Sequence, residues 1–163
     1  MKSKPIQSRG LGLLAALLVS TGAWATGSHA GGHDHDVDPT PYGRPGVAAS
    51  AGRTIEIVMS DDMRFTPSNI QVRRGETVRF LIRNAGQIRH EFSLGTKQEL
   101  DEHHEQMKKF PDMVHDEPNK VSLEPGHKGE VVWQFSRGGV VDFACLQVGH
   151  YEAGMKGQIK VGR

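Results

Sequence analysis

The 163-residue chain carries 20 basic and 19 acidic residues, a formal charge of +1, and this even balance without a basic stripe leaves no footprint for nucleic acid. Its single cysteine excludes an internal disulfide. No apolar run reaches the roughly 20 residues that a membrane-spanning helix needs, so no stable membrane insertion is expected.

In chain order, residues 1–25 read as a secretory signal peptide. Lys2, Lys4 and Arg9 precede the short apolar run Leu11 to Val19, and Ala23-Trp24-Ala25 supplies a small-residue cleavage site. Cleavage after Ala25 removes three basic and no acidic residues, leaving 17 basic against 19 acidic, and implies a periplasmic protein. Residues 26–52 are rich in Gly, Ala, His, Asp and Pro without hydrophobic periodicity, the composition of a flexible tail. His29, His33 and His35, with Asp34 and Asp36, form a weak candidate metal site there. The alternative is a solvated, low-complexity linker.

A folded domain is expected over residues 53–163. Ile55 and Ile57 alternate in TIEIVM, Val78, Phe80 and Ile82 in TVRFLIRN, and Val131, Trp133 and Phe135 in EVVWQF. Such alternation marks strands with one buried face. The turn-rich stretches RRGET, NAGQ, EPGHKGE and SRGG separate the strands, which predicts an all-β sandwich rather than alternating βα units. One insertion, residues 96–119, breaks the pattern with a helix. Thr96 and Glu99 are spaced as a capping box, Leu100, His103, Met107 and Phe110 share one helical face, and Pro111 closes the run. His103, His104, Met107, Met113 and His115 crowd this insertion, a mixture of imidazole and thioether that suits Cu(I). An apolar stripe packed on the sandwich is the competing reading.

The stretch FACLQVGHYEAGM holds the lone Cys145, with His150 five residues on and Met155 five further. Cys145 is a buried small hydrophobe, an intermolecular bridge or a functional thiolate; an exposed reactive thiol is a liability in an oxidising compartment. Val141, Phe143 and Cys145 share a strand face, so the thiol points inward at the strand's end. Gly149 lets the chain turn back and bring His150 and Met155 to the same place. A thiolate, imidazole and thioether form a soft donor set, and two histidines, one cysteine and an axial methionine make a copper electron-transfer site. Of the nine histidines, His90 lies best for the missing ligand. It follows TVRFLIRN and leads into Phe92 and Leu94, at the end of a core strand.

The runs FTPSNIQVRRGETVRFLIRNAGQIRHEF and FACLQVGHYEAGMKGQIKV resemble the cupredoxin family, over residues 54 to 162. The resemblance implies a small Greek-key β-sandwich with one type 1 copper at its end, held by His90, Cys145, His150 and Met155. Several cupredoxins carry an asparagine after the upstream histidine, whereas this chain has Glu91. The helical insertion and histidine tail are similar to those of CopI-type periplasmic copper-tolerance cupredoxins, which implies a role in surviving excess copper.

Four protein ligands leave no open position for a substrate, so the set points to a redox carrier rather than an enzyme. Two functions follow: copper tolerance through Cu(I)/Cu(II) cycling and electron transfer, or a dedicated electron shuttle for a respiratory or copper-enzyme partner. Weak cuprous oxidase activity would need O₂ or an acceptor protein to reach the metal.

Overall fold

The computed structural model describes residues 40–111, 113 and 117–163. The strands are β1 (Gly43–Pro45), β2 (Arg53–Ser60), β3 (Arg64–Thr66), β4 (Asn69–Arg73), β5 (Thr77–Asn84), β6 (His90–Gly95), β7 (Lys120–Leu123), β8 (Lys128–Phe135), β9 (Gly139–Ala144) and β10 (Lys156–Gly162). The helix α1 (Lys97–Lys109) lies between β6 and β7. One sheet has the order β1-β8-β5-β2-β3 and the other β4-β10-β9-β6-β7. Pairing is antiparallel except between β2 and β5 and between β4 and β10. This is the Greek-key sandwich that the hydrophobic alternation predicts.

The alternation also locates the core. Val78, Phe80 and Ile82 of β5 and Val131, Trp133 and Phe135 of β8 are buried on the inner face of the first sheet. Phe92, Leu94, Phe143, Ile159 and Val161 meet them from the second. Aromatic rings gather in the interior: Phe92 lies 6.0 Å from Phe65 and Phe80 and 5.2 Å from Phe143, between ring centroids.

Strand β6 departs from the half-buried rule, because every one of its residues is buried. Its outer face is covered by α1, which packs on β6 and β9. The helix starts where the sequence places it: the Glu99 N–H donates to Thr96 Oγ1 (3.2 Å), and the Thr96 N–H donates to Glu99 Oε2 (2.7 Å). Its buried face differs from the expected one, consisting of Leu100, His104 and Met107. His103 is half-buried on the flank, and Phe110, 60 % exposed, lies past the last helical residue. The helix ends one residue too early for Phe110 to join the stripe, and His104 is drawn inward by partners described below.

Residues 40–52, read from sequence as part of the tail, contribute to the sandwich. Strand β1 pairs with β8, and Tyr42 is buried with its ring 5.4 Å from that of Trp133 and its hydroxyl donating to Leu94 O (3.2 Å). In this segment Tyr42 is the one buried large hydrophobic and the rest of the anchorage is strand pairing, which leaves no periodic signal. Among the described residues no helix is long and apolar enough to cross a membrane.

Because Phe92 joins three other aromatic rings at the centre, Phe92→Ala should cost about 3–5 kcal/mol. Urea unfolding of the metal-free protein should show a lower midpoint with an unchanged slope; an unmoved midpoint would contradict this packing.

Candidate metal centre

The end of the sandwich where β9 stops and β6 begins gathers three soft or borderline donors. Cys145 follows the last residue of β9, fully buried, and His90 opens β6, also fully buried. His150 lies in the loop that joins β9 to β10. One donor atom from each of the three lies within 4.8 Å of the others, and Cys145 Sγ is 3.3 Å from His150 Nδ1. The two imidazole rings are 4.9 Å apart between centroids.

Main-chain bonds fold the loop around this point. The His150 N–H donates to Gln147 O, the Met155 N–H to His150 O, and the Cys145 N–H to Met155 O (3.0, 3.0 and 3.1 Å). Met155 is thereby bonded through its backbone to both neighbours in the set, and its side chain is buried in the same core as Cys145. The turns need glycine at Gly149 and Gly154, whose φ values of +85° and +92° lie in the left-handed region.

The state of each donor suits a metal. His90 Nε2 is 2.9 Å from Asp61 Oδ1, so its N–H is spent on the carboxylate, while His90 Nδ1 is buried with no hydrogen-bond partner. A bare, buried imidazole lone pair beside a thiol fits a cation such as copper, with Asp61 fixing the tautomer. Burial, and after it the neighbourhood of His90, lowers the His150 value and favours the neutral ring that binds metal. Burial chiefly, with the Glu91 charge, pushes the Cys145 thiol up to about 12, against the pull of the Glu91 and Gln147 backbone. Without a cation the thiol is protonated at neutral pH, and metal binding expels that proton.

The surrounding residues hold the donors. The Glu91 N–H donates to Cys145 Sγ (3.3 Å), a bond that needs no particular side chain. The Glu91 carboxylate, fully buried, accepts from Ser93 Oγ and from Ser122 Oγ (3.4 Å), tying β6 to β7. Asp61 is held below the usual carboxylate range by the Gln87 N–H and then by His90. Its grip on His90 is therefore present through neutral pH and fades as pH falls through that lowered value. Gly86 makes room for this contact, since a Cβ there would stand 1.9 Å from Asp61 Oδ1 and 3.1 Å from His90 Nε2. Asn84, fully buried, ties the turn by donating to Ile88 O and Leu123 O and accepting from the Gly86 N–H.

Asp61, Asn84 and Gly86 had no sequence signal. Asp61 is 29 residues from His90, and only the parallel pairing of β2 with β5 brings its turn alongside. Of the insertion residues, His104 and Met107 are buried and Met113, half-buried, packs against the cluster that contains Met107, whereas His103 lies on the flank. His115 and the tail residues His29, His33 and His35 lie outside the described residues.

The helix also grips the ligand loop. Tyr151 Oη donates to Asp101 Oδ1 (2.5 Å), and His104 Nε2 lies 2.9 Å from Glu152 Oε1. Lys156 Nζ sits 3.4 Å from the centre of the Tyr151 ring. Tyr151 and Glu152, between His150 and Met155, are thus fastened by α1 from outside the sheet.

Residues 53–162 match the family model of copper-binding proteins of the plastocyanin/azurin family. The chain is 52 % identical over 153 residues to the copper-resistant cuproprotein CopI of Rubrivivax gelatinosus, covering 91 % of this chain and 92 % of that one. It is 37 % identical over 149 residues to the protein of the same description in Pseudomonas aeruginosa, covering 74 % and 82 %. Among solved structures, the dithionite-reduced auracyanin of Roseiflexus castenholzii superposes with a TM-score of 0.59 at 20 % identity, over 69 % of this chain and 99 % of the other.

Removing the support of His90 should weaken the centre without dismantling it. Asp61→Ala and Gly86→Ala are each expected to lower copper affinity about 10–100-fold, read by competition with a chelator. Unchanged affinity in both variants would mean that the carboxylate does not orient His90.

Proposed function

The chain belongs to the plastocyanin/azurin family of copper-binding proteins, and from that premise we propose that it is an exported, periplasmic cupredoxin of copper tolerance with one type 1 centre. His90, Cys145, His150 and the Met155 thioether would hold the copper. The single observation that carries this reading is the buried Nδ1 of His90, bare beside a buried thiol and a second imidazole. Bound copper would supply a one-electron couple, since thiolate and thioether favour Cu(I) and imidazole serves both states.

The protein's own groups support electron transfer rather than substrate chemistry. Three donors converge at the end of the sandwich, Met155 is buried in the same core as Cys145, and main-chain bonds tie residues 145–155 together. A centre so bound reorganises little when its charge changes. Cys145 is sealed from solvent, while His150 is half-exposed and Val148 beside it is 53 % exposed. Ile88, two residues before His90, is also exposed. These apolar residues would supply a docking patch beside the half-exposed His150, so electrons would enter and leave through its ring edge.

The tolerance role rests on the relatives described as copper-resistant. Scavenging of copper, or oxidation of Cu(I) by passing electrons to a partner, both fit the centre. The exposed patch also favours a second reading, a dedicated shuttle for a respiratory or copper-enzyme partner. Deletion of the gene in its own host separates them: loss of copper tolerance with normal respiration supports the first, and the reverse supports the second. Restoring the parent chain should recover growth in copper, whereas Cys145→Ser should not. Recovery by Cys145→Ser would refute a role for this centre. Val148→Asp should keep copper but slow electron exchange with a redox partner.

A further inference from the structure

Outside the second sheet, on the face opposite the Cys145 thiol, a separate apolar cluster forms beneath α1. Leu100, Met107, Ala144 and Leu146 build it, and Met113 and Tyr151 pack against it. His104 lies in the same layer, one turn after Leu100 and one before Met107, with only 4 % of its surface exposed.

Its hydrogen bonding repeats that of His90. Nε2 is spent on a carboxylate, here Glu152 Oε1 at 2.9 Å, and the Tyr151 ring stacks 4.7 Å away. Nδ1 is buried without a hydrogen-bond partner. A structural role for the methionines accounts for their burial but leaves this nitrogen unexplained, and a buried polar atom left unpaired is destabilising.

The chain supplies two thioethers to the cluster in that layer. Met107 is three residues on from His104, and helical side chains lean toward the N-terminus, which directs Met107 back over the His104 turn. Beyond Pro111, the Met113 N–H donates to Phe110 O (3.1 Å), and this turn returns Met113 to the same cluster. One buried imidazole nitrogen with one buried and one half-buried thioether favours Cu(I) over harder divalent ions.

We propose that His104 Nδ1 and the sulfurs of Met107 and Met113 form a Cu(I)-binding site beneath α1, distinct from the His90–Cys145–His150 centre. It does not depend on the type 1 reading, because its donors come from the insertion. It adjoins that centre through Tyr151 and Glu152, which belong to the loop carrying His150.

The test is an anaerobic Cu(I) titration of the full chain against a chromophoric Cu(I) chelator. The Met107→Leu/Met113→Leu pair and His104→Gln are compared with the parent, all in a Cys145→Ser background as well as in the parent sequence. Leucine preserves apolar volume, and glutamine keeps an N–H for Glu152. The tail histidines are common to all variants and cancel. The parent should bind one more Cu(I) equivalent than either variant, and the same difference should persist in Cys145→Ser. Equal stoichiometry and affinity in parent and both variants would overturn the site. Absence of a thiolate-to-copper band when the parent is separately loaded with Cu(II) would count against the type 1 centre alone, so the two failures are separable.

Discussion

A thiol removed entirely from water cannot hold a negative charge there by itself, and the arrangement around Cys145 follows from that constraint. Burial makes the protonated form the resting state, so a thiolate persists only beside a compensating cation. The protein then needs neutral nitrogen donors close by rather than more charge. His90 and His150 meet the need, one by giving its N–H to Asp61 and the other by burial. Most neighbouring features serve to keep those lone pairs and the sulfur facing one another.

The sandwich fixes two of the donors through rigid elements and the third through a loop. His90 and Cys145 stand at the edges of adjacent strands whose inner faces are packed with aromatic rings. The loop holding His150 and Met155 has few apolar anchors of its own. It is closed by bonds to Cys145 and Gln147 from within and by α1 from outside. The insertion therefore acts on the centre's geometry whether or not it also binds metal. Asp101 is held below the carboxylate range by Lys97 and then Tyr151, and Glu152 by its own backbone N–H and then His104. This docking is present above the ordinary carboxylate range and weakens as pH falls through the lowered values.

Much of this was legible in the sequence because the relevant signals are local. Alternation in TVRFLIRN and EVVWQF needs only neighbouring residues, the Thr96–Glu99 box spans one turn, and the Cys145, His150 and Met155 spacing lies in one loop. What escaped was set by contacts between distant segments. Asp61 and Gly86 acquire their roles only when the turns after β2 and β5 lie side by side. Helical periodicity places His103 and His104 alike one turn from Leu100; the contacts with Glu152 and Tyr151 are what distinguish the buried His104. Glu91 departs from the asparagine that the cupredoxin resemblance suggests, yet its backbone reaches the sulfur and its side chain finds Ser93 and Ser122 on the outer face. Tyr42 and β1 joined the fold from a segment whose composition reads as linker.

The most direct test of the central claim is a Cu(II) titration of the purified protein, loaded with its cysteine reduced and followed by visible absorption and EPR, with Cys145→Ser alongside. The account predicts an intense thiolate-to-copper band that saturates at one equivalent and is absent from Cys145→Ser. Copper binding without that band, or an identical spectrum in Cys145→Ser, would contradict a centre built on the buried thiol.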